Sequence, residues 1–369
     1  MANWLLEQKV PVNHCDRFGF TPLEGAVRGK HKELVSLLRA AGGKVSVNGQ
    51  LVALETSALS GVVPLGAHND TESLIDWDIP ASELAMVGIL GEGAFGTVHR
   101  ATWRGTTVAV KTLKRLQNAT ADKVALAEFR TELAMIQTLH HPHIVQFLGV
   151  ASSPEDGAPM LVTEFMTIGS LADFFRRPQP LSDREALLWC IDCCRGMTYL
   201  HGRHPNPVLH RDLKPNNLMI TVGRRLKIGD FGLSKTLSVR NRVPQDLSQA
   251  YKLTGETGSY RFMAPEVFRH EYYGPPVDVY AFSMVAFQMF HHQVPFEGMS
   301  PVDAARAAAY ERRRPIISPH VNKDLAAAIN QGWSPNPNSR PTFEALIGRL
   351  DKLDAQFPPL PEGGCCSLQ

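Results

Sequence analysis

Apolar residues in this chain fall into runs whose period predicts the element. Val279 to Phe290 is apolar for twelve residues apart from Ser283 and Gln288. That pattern predicts a helix buried on every side, well short of the ~20 residues a membrane-spanning helix needs. Leu187 to Leu200 has the helical period of an amphipathic helix. Thr97 to Trp103 is β-prone, Arg104-Gly105 supplies a turn and Thr107 to Lys111 a return strand, so the pattern predicts a hairpin. Near the start, Thr21 and Glu24 form a capping box around Pro22, which predicts a helix to about Gly29. A second helix from Lys32 to Ala40 places Leu34, Leu37 and Leu38 on one face before Gly42 and Gly43 stop it. Lys44 to about Asp76 shows no sustained period and reads as linker.

Length changes the picture from one core to two: 369 residues exceed a single small domain. Leu5-Leu6 and Val12 recur as Leu37-Leu38 and Val45, at spacings of 32 and 33. With D-R-F-G-F-T-P-L-E-G-A in between, this segment resembles an ankyrin repeat, although Glu24 stands where that family usually has His. It amounts to about one and a half repeats, where about three normally bury a continuous core. The resemblance implies a protein-binding surface or a vestigial remnant.

A net charge of +2 with 20% charged residues leaves no basic stripe, so nucleic acid has no electrostatic footing. The six cysteines are Cys15, then Cys190, Cys193 and Cys194, then Cys365 and Cys366, which is not a secreted disulfide framework. Cys190, Cys193 and Cys194 with His201 and His204 have zinc-like spacing, but an amphipathic helix buries cysteines readily. No basic-then-apolar leader opens the chain, so a soluble, cytoplasmic protein is expected.

Chemistry concentrates between Val208 and Gly232. Asp212, Lys214, Asn217 and Asp230 offer a proton acceptor, a cation beside it and two oxygen ligands for magnesium, the parts that move a phosphoryl group. A lone Asp or Asn in a loop is normally a turn former, but here four groups match together. Upstream, L-G-E-G-A-F-G-T-V over Leu90 to Val98 has the G-x-G-x-x-G spacing, which is weak alone. A dinucleotide site opens a helix after the last glycine, whereas here strands follow.

At H-R-D-L-K-P-N-N and D-F-G the sequence resembles the protein kinases. The resemblance implies an α+β, two-lobed kinase fold over 82–355, preceded by a short all-α ankyrin-like fragment (1–46) and a linker (47–81), and followed by a Pro/Gly-rich tail (356–369). It also implies ATP and Mg²⁺, with Asp212 as catalytic base, Lys214 stabilising the transferred phosphoryl, and Asn217 and Asp230 as metal ligands. Lys111 of V-A-V-K holds phosphates and pairs with Glu132, preferred by register over Glu128. Leu90, Gly91, Gly93 and Gly96 cover the nucleotide, Val98, Ala109 and Met219 sandwich its ring, Thr163 guards the back pocket, and backbone groups of Glu164 and Met166 bond the adenine edge. Ser259 braces Asp212 and Lys214, Asp278 holds the catalytic loop, Arg340 partners Glu266, and Arg211 receives a phosphate on Thr254 or Thr257. His140, His141 and His143 form no metal site on this reading, because His141-Pro142 begins a strand in the family.

Lys214 and G-S-x-x-F-M-A-P-E are the serine/threonine form. W-D-I-P-x-S-E-L (Trp77 to Leu84), T-E-F-M and H-P-H-I-V-Q-F-L-G resemble the tyrosine-kinase-like group, especially Raf-like MAP kinase kinase kinases. The ankyrin-like start narrows this to plant-like ankyrin kinases related to integrin-linked kinase. The resemblance implies a protein substrate such as a MAP kinase kinase, and a protein partner for the ankyrin-like segment. Several such kinases have eroded motifs and act as pseudokinase scaffolds, but none of the motifs is missing here. Finally, Cys366-Ser-Leu-Gln369 fits C-a-a-X, which implies lipidation and membrane association, with Cys365 as a second acylation site.

Overall fold

The structure, a computed structural model, describes residues 12–13, 21–23, 26, 32–47, 50–53, 77–92, 96–113, 126, 129–130, 132–154, 157–178, 181–204, 207–231, 235–236 and 257–357. The chain divides into two compact units, Met1–Asp78 and Ile79–Gln369.

In the first unit, helix α1 occupies Lys32–Ala40, as its pattern predicts. Its C-terminus closes in a Schellman arrangement: Gly42 is left-handed (φ 82°) and the Gly43 N–H donates to Leu38 O at 2.8 Å. A Cβ on Gly43 would lie 2.7 Å from that same carbonyl, so the position requires glycine. Leu23, Ala26 and Leu38 form a small buried cluster with Val12, Leu34 and Val35 against it. Glu24, the second half of the expected capping box, lies outside the described residues. Beyond α1 the structure departs from the expected linker and from an all-α fragment. Strands β1 (Lys44–Val47) and β2 (Gln50–Ala53) pair antiparallel, Lys44 opposite Ala53 and Val47 opposite Gln50. Four residues a side, joined through Asn48-Gly49, are too short to show a sustained period, yet Asn-Gly is the strongest short hairpin signal. Asn13 ties the chain to this hairpin, its amide donating to Gly42 O at 3.1 Å and accepting from Lys44 N at 2.6 Å.

The second unit has two lobes. The first is an antiparallel sheet of β3 (Leu84–Glu92), β4 (Gly96–Trp103), β5 (Thr106–Leu113), β6 (Phe147–Ser152) and β7 (Pro159–Glu164), in the order β3-β4-β5-β7-β6. The predicted hairpin is β4–β5, and its turn puts both Arg104 (φ 47°) and Gly105 (φ 81°) in the left-handed region that a two-residue hairpin loop requires. Residues 132–136 are helical. His141-Pro142 does not begin a strand. The chain turns there, with Ile144 N donating to His141 O, and regular pairing starts only at Phe147. Pro142 has no N–H to give a ladder.

The second lobe contains β8 (Gly169–Ser170), α2 (Leu171–Phe175), α3 (Asp183–His201), β9 (Val208–Leu209), β10 (Leu218–Ile220), β11 (Leu226–Ile228), β12 (Lys235–Thr236), α4 (Pro265–Phe268), α5 (Pro276–His291), α6 (Pro301–Tyr310), α7 (Lys323–Gly332) and α8 (Phe343–Asp354). The apolar run lies in α5, where every residue from Val277 to Phe290 is buried. Cys190, Cys193 and Cys194 are buried in α3, and burial pushes all three thiols up, so they stay protonated and packed. Glu266 and Arg340 form a buried bidentate pair at 2.6 and 2.9 Å. Among the described residues no helix is long and apolar enough to cross a membrane.

Candidate active site

A cleft of about 570 Å³ opens between the sheet and the helical lobe. Lys111, near the C-terminal end of β5, enters it beside Glu132 of the helical stretch, at 2.7 and 2.9 Å, and lies 3.3 Å from Asp230. Burial opposes the ammonium charge, but Asp230 and Glu132 outweigh it and raise the Lys111 pKa, so the lysine stays charged. Glu128, the alternative partner, lies outside the described residues. Asp230 follows β11 with a left-handed backbone (φ 56°), uncommon for a non-glycine residue and a conformation that only a well-determined site retains.

Deeper in the cleft, the Asp212 carboxylate sits 2.9 Å from Lys214 Nζ, which also donates to Ser259 Oγ at 2.9 Å. Asn217 Nδ2 donates to the Asp212 carbonyl (2.8 Å) and carboxylate (3.0 Å), which leaves the amide oxygen as its acceptor. Burial pushes the Asp212 carboxyl above its ordinary range, with Lys214 opposing. Asp278, in the first turn of α5, fastens this loop from behind. Its carboxylate accepts from His210 N (3.0 Å), Arg211 N (2.8 Å) and His201 Nε2 (2.8 Å). The fixed loop lets Arg211 hold φ 67°, and its guanidinium donates to Tyr273 OH at 3.1 Å.

Leu90, Gly91, Gly96 and Val98 line the roof of the cleft, with Ala109 on the adjoining strand. Thr163, Glu164 and Met166 form its rear edge and Met219 its floor. Gly93 lies outside the described residues, as do Thr254, Cys365 and Cys366; only the backbone of Thr257 is described. The oxygen donors of Asn217 and Asp230, both facing the cleft that Lys111 enters, suit a hard divalent cation such as Mg²⁺.

Two features escaped sequence reasoning. Lys227 Nζ pairs with the Glu164 carboxylate at 2.5 Å, and the same oxygen accepts from Gln146 N at 2.7 Å. Asp192, buried in α3, receives Arg225 and the Leu226 N–H. The signal for the second was a carboxylate within an otherwise apolar helical face.

With this geometry in hand, the sequence profile of the protein tyrosine and serine/threonine kinases matches residues 84–350. The chain belongs to that family. This protein kinase is 36% identical to the serine/threonine-protein kinase VIK of Arabidopsis thaliana over 359 residues, covering 96% of this chain and 77% of the relative. It is 33% identical to the serine/threonine/tyrosine-protein kinase HT1 of the same plant, over 76% of this chain and 68% of the relative. It is 34% identical to the serine/threonine-protein kinase CTR1, also from Arabidopsis thaliana, over 78% of this chain and 33% of the relative. An alignment covering 96% of the kinase includes most of residues 1–78, so the similarity to VIK extends beyond the catalytic unit.

Proposed function

We infer that this protein serine/threonine kinase transfers the γ-phosphate of ATP to a Ser or Thr hydroxyl of a protein. The carrying observation is the Asp212 carboxylate, held by Lys214 and Asn217 in the same cleft as the Lys111–Glu132 pair. Asp212 accepts the hydroxyl proton as the oxygen attacks phosphorus, and Lys214 steadies the charge that develops between them. Lys111, kept charged and aimed by Glu132, binds the non-transferred phosphates. Asn217 and Asp230 hold Mg²⁺, which neutralises phosphate charge when bound. Val98, Ala109 and Met219 enclose the base, and the backbone of Glu164 and Met166 meets its edge beside Thr163.

The finer reading places the enzyme among Raf-like kinases acting on a MAP kinase kinase, supported by W-D-I-P-x-S-E-L and H-P-H-I-V-Q-F-L-G. The ankyrin-like segment serves a protein partner in this reading, and C-S-L-Q supports membrane association through lipidated Cys366 and Cys365. Control by phosphate on Thr254 or Thr257 rests on Arg211 beside Asp212.

Asp212→Asn keeps the shape of the side chain and removes the proton acceptor, so label transfer from ATP should fall by about 10²-fold or more with nucleotide binding nearly unchanged. Lys111→Met should damage both. Phosphate incorporation is read alongside nucleotide binding by calorimetry. Equal incorporation by wild type and Asp212→Asn would leave a pseudokinase scaffold as the reading.

A further inference from the structure

We propose that His291, at the end of α5, is a pH-sensitive clasp: as a neutral ring it fastens the connector between α6 and α7, and on taking up a proton it frees that connector at Ser318. The device is separate from the phosphotransfer reading, and neither residue lines the catalytic cleft.

Both ring nitrogens of His291 have backbone partners. Nδ1 lies 2.9 Å from the Phe287 carbonyl, one turn back in the helix, and a carbonyl only accepts. Nε2 lies 2.9 Å from Ser318 N, and an amide N–H only donates. The two partners therefore fix one form of the ring, with its hydrogen on Nδ1 and a lone pair on Nε2. Phe287 also holds the ring in place by stacking, centroids 4.0 Å apart and planes 16° from parallel. His320 adds a second fastening, its Nδ1 lying 2.7 Å from Ser318 Oγ. On either side of this stretch the chain is anchored. Arg314 donates to the carbonyls of Ala308 and Trp333, and Val321, whose N–H bonds the Ser318 carbonyl, is 5% exposed. A change at His291 is thereby confined to a few residues.

A proton added to Nε2 turns one donor toward another, so the bond to Ser318 N cannot coexist with the charged ring. The charge would also face His320 of the connector, whose ring centroid is 5.7 Å away, and His292 of its own chain end. From the end of α7 the group that reaches this corner is Trp333, uncharged, with its ring 6.0 Å from that of Phe287. Among the described residues no carboxylate pairs with His291, His292 or His320. Burial holds the His291 pKa below its ordinary value, with the Phe287 carbonyl opposing and His320 and His292 lowering it further. A folded-state histidine of lowered pKa binds protons less readily than a free one, whose pKa is near 6.5. The clasp is thus fully closed above that pH and weakens as pH falls below it. Histidine is the side chain whose charge changes in this range.

The test is hydrogen exchange of the full chain, read by mass spectrometry on peptides spanning 315–321 at about pH 7.5 and 5.5, with rates corrected for the intrinsic pH dependence of exchange. Wild-type protection there should fall about fivefold, because a ring of free pKa near 6.5 must stay neutral for the bond to hold. Peptides from the middle of α7 should change less than about twofold. His291→Gln offers an acceptor that does not titrate, so its protection should be the same at both pH values. Nitrogen shifts of the His291 ring at neutral pH should separately report the hydrogen on Nδ1. Wild-type protection that does not change with pH, or a neutral ring with its hydrogen on Nε2, overturns the clasp. A fall that persists in His291→Gln and disappears in His320→Gln makes His320 the titrating ring and also overturns it. Should His291→Gln be unprotected at both pH values, the wild-type exchange profile and the ring's nitrogen shifts decide the matter without it.

Discussion

A single lysine couples the two ends of the nucleotide cleft. Lys227 stands on β11, three residues before Asp230, and its ammonium reaches Glu164 at the end of β7, where the adenine edge is expected. Glu164 is held twice more, its carboxylate by Gln146 N and its own N–H by the Gln146 carbonyl. On that reading Lys227 is a positioning residue: it fixes the backbone proposed to meet the base and touches no proposed reacting atom. Replacing it by methionine removes the charge and keeps most of the volume. An ion pair this buried contributes about 1 kcal/mol, so KM for ATP should rise about fivefold with kcat changed less than about twofold, and Lys227→Arg should restore it. Steady-state kinetics at saturating peptide decide the matter; a kcat loss at unchanged KM contradicts the assignment. Asp212, Lys214, Asn217 and Asp230 were legible in the sequence because their chemistry demands given residue types at short fixed separations. Lys227 was not, since its partner lies 63 residues away and a lysine in a short strand resembles a solvated side chain.

At the scale of elements, α5 is the post to which the catalytic loop is tied. Its apolar run marked it as interior from the pattern alone, and burial along its length agrees. The value of that burial lies in Asp278, fully enclosed and carrying three donors. Burial pushes this carboxyl up, but His201, His210 and the Arg211 N–H outweigh it and hold its pKa below the ordinary range. A carboxylate whose folded pKa is depressed contributes stability that is present above its unfolded value, near 4, and is lost as pH falls through the folded value. Asp278→Asn should therefore cost about 2–4 kcal/mol near neutrality, because an amide turns donors toward donors. The penalty should shrink as pH drops below about 4. Urea titrations of both proteins across that range check it, and a pH-independent gap excludes the carboxylate as the cause. The β1–β2 hairpin was less legible than α5. Four-residue strands with polar members carry almost no periodic signal, so only Asn48-Gly49 announced them.

For the whole molecule, the boundary between the two units places the start of the second unit a few residues before the matched kinase profile. The kinase profile begins at residue 84, and sequence reasoning put the boundary at 82, yet the second compact unit begins at Ile79. Ile79 is 3% exposed within the sheet lobe's core, packed with Leu84, Val108, Val110, Met160 and Val162, and its N–H donates to Val150 O at 2.7 Å. Glu83 then receives Trp103 Nε1 and the Arg104 guanidinium, closing the segment onto the β4–β5 hairpin. One apolar residue between Asp78 and Pro80 has no period to reveal it as core. Truncating Ile79 to alanine in the full chain should cost about 2–5 kcal/mol, the usual range for a buried isoleucine. The loss belongs to the unit that binds nucleotide, so Mg-ATP at about a hundred times its Kd should return about 2.7 kcal/mol by mass action. Thermal denaturation of wild type and Ile79→Ala, with and without Mg-ATP, measures both quantities. A shift below about 1 kcal/mol would show that Ile79 is not part of this core. A full-sized loss that Mg-ATP fails to offset would show that the residue stabilises something other than the nucleotide-binding unit.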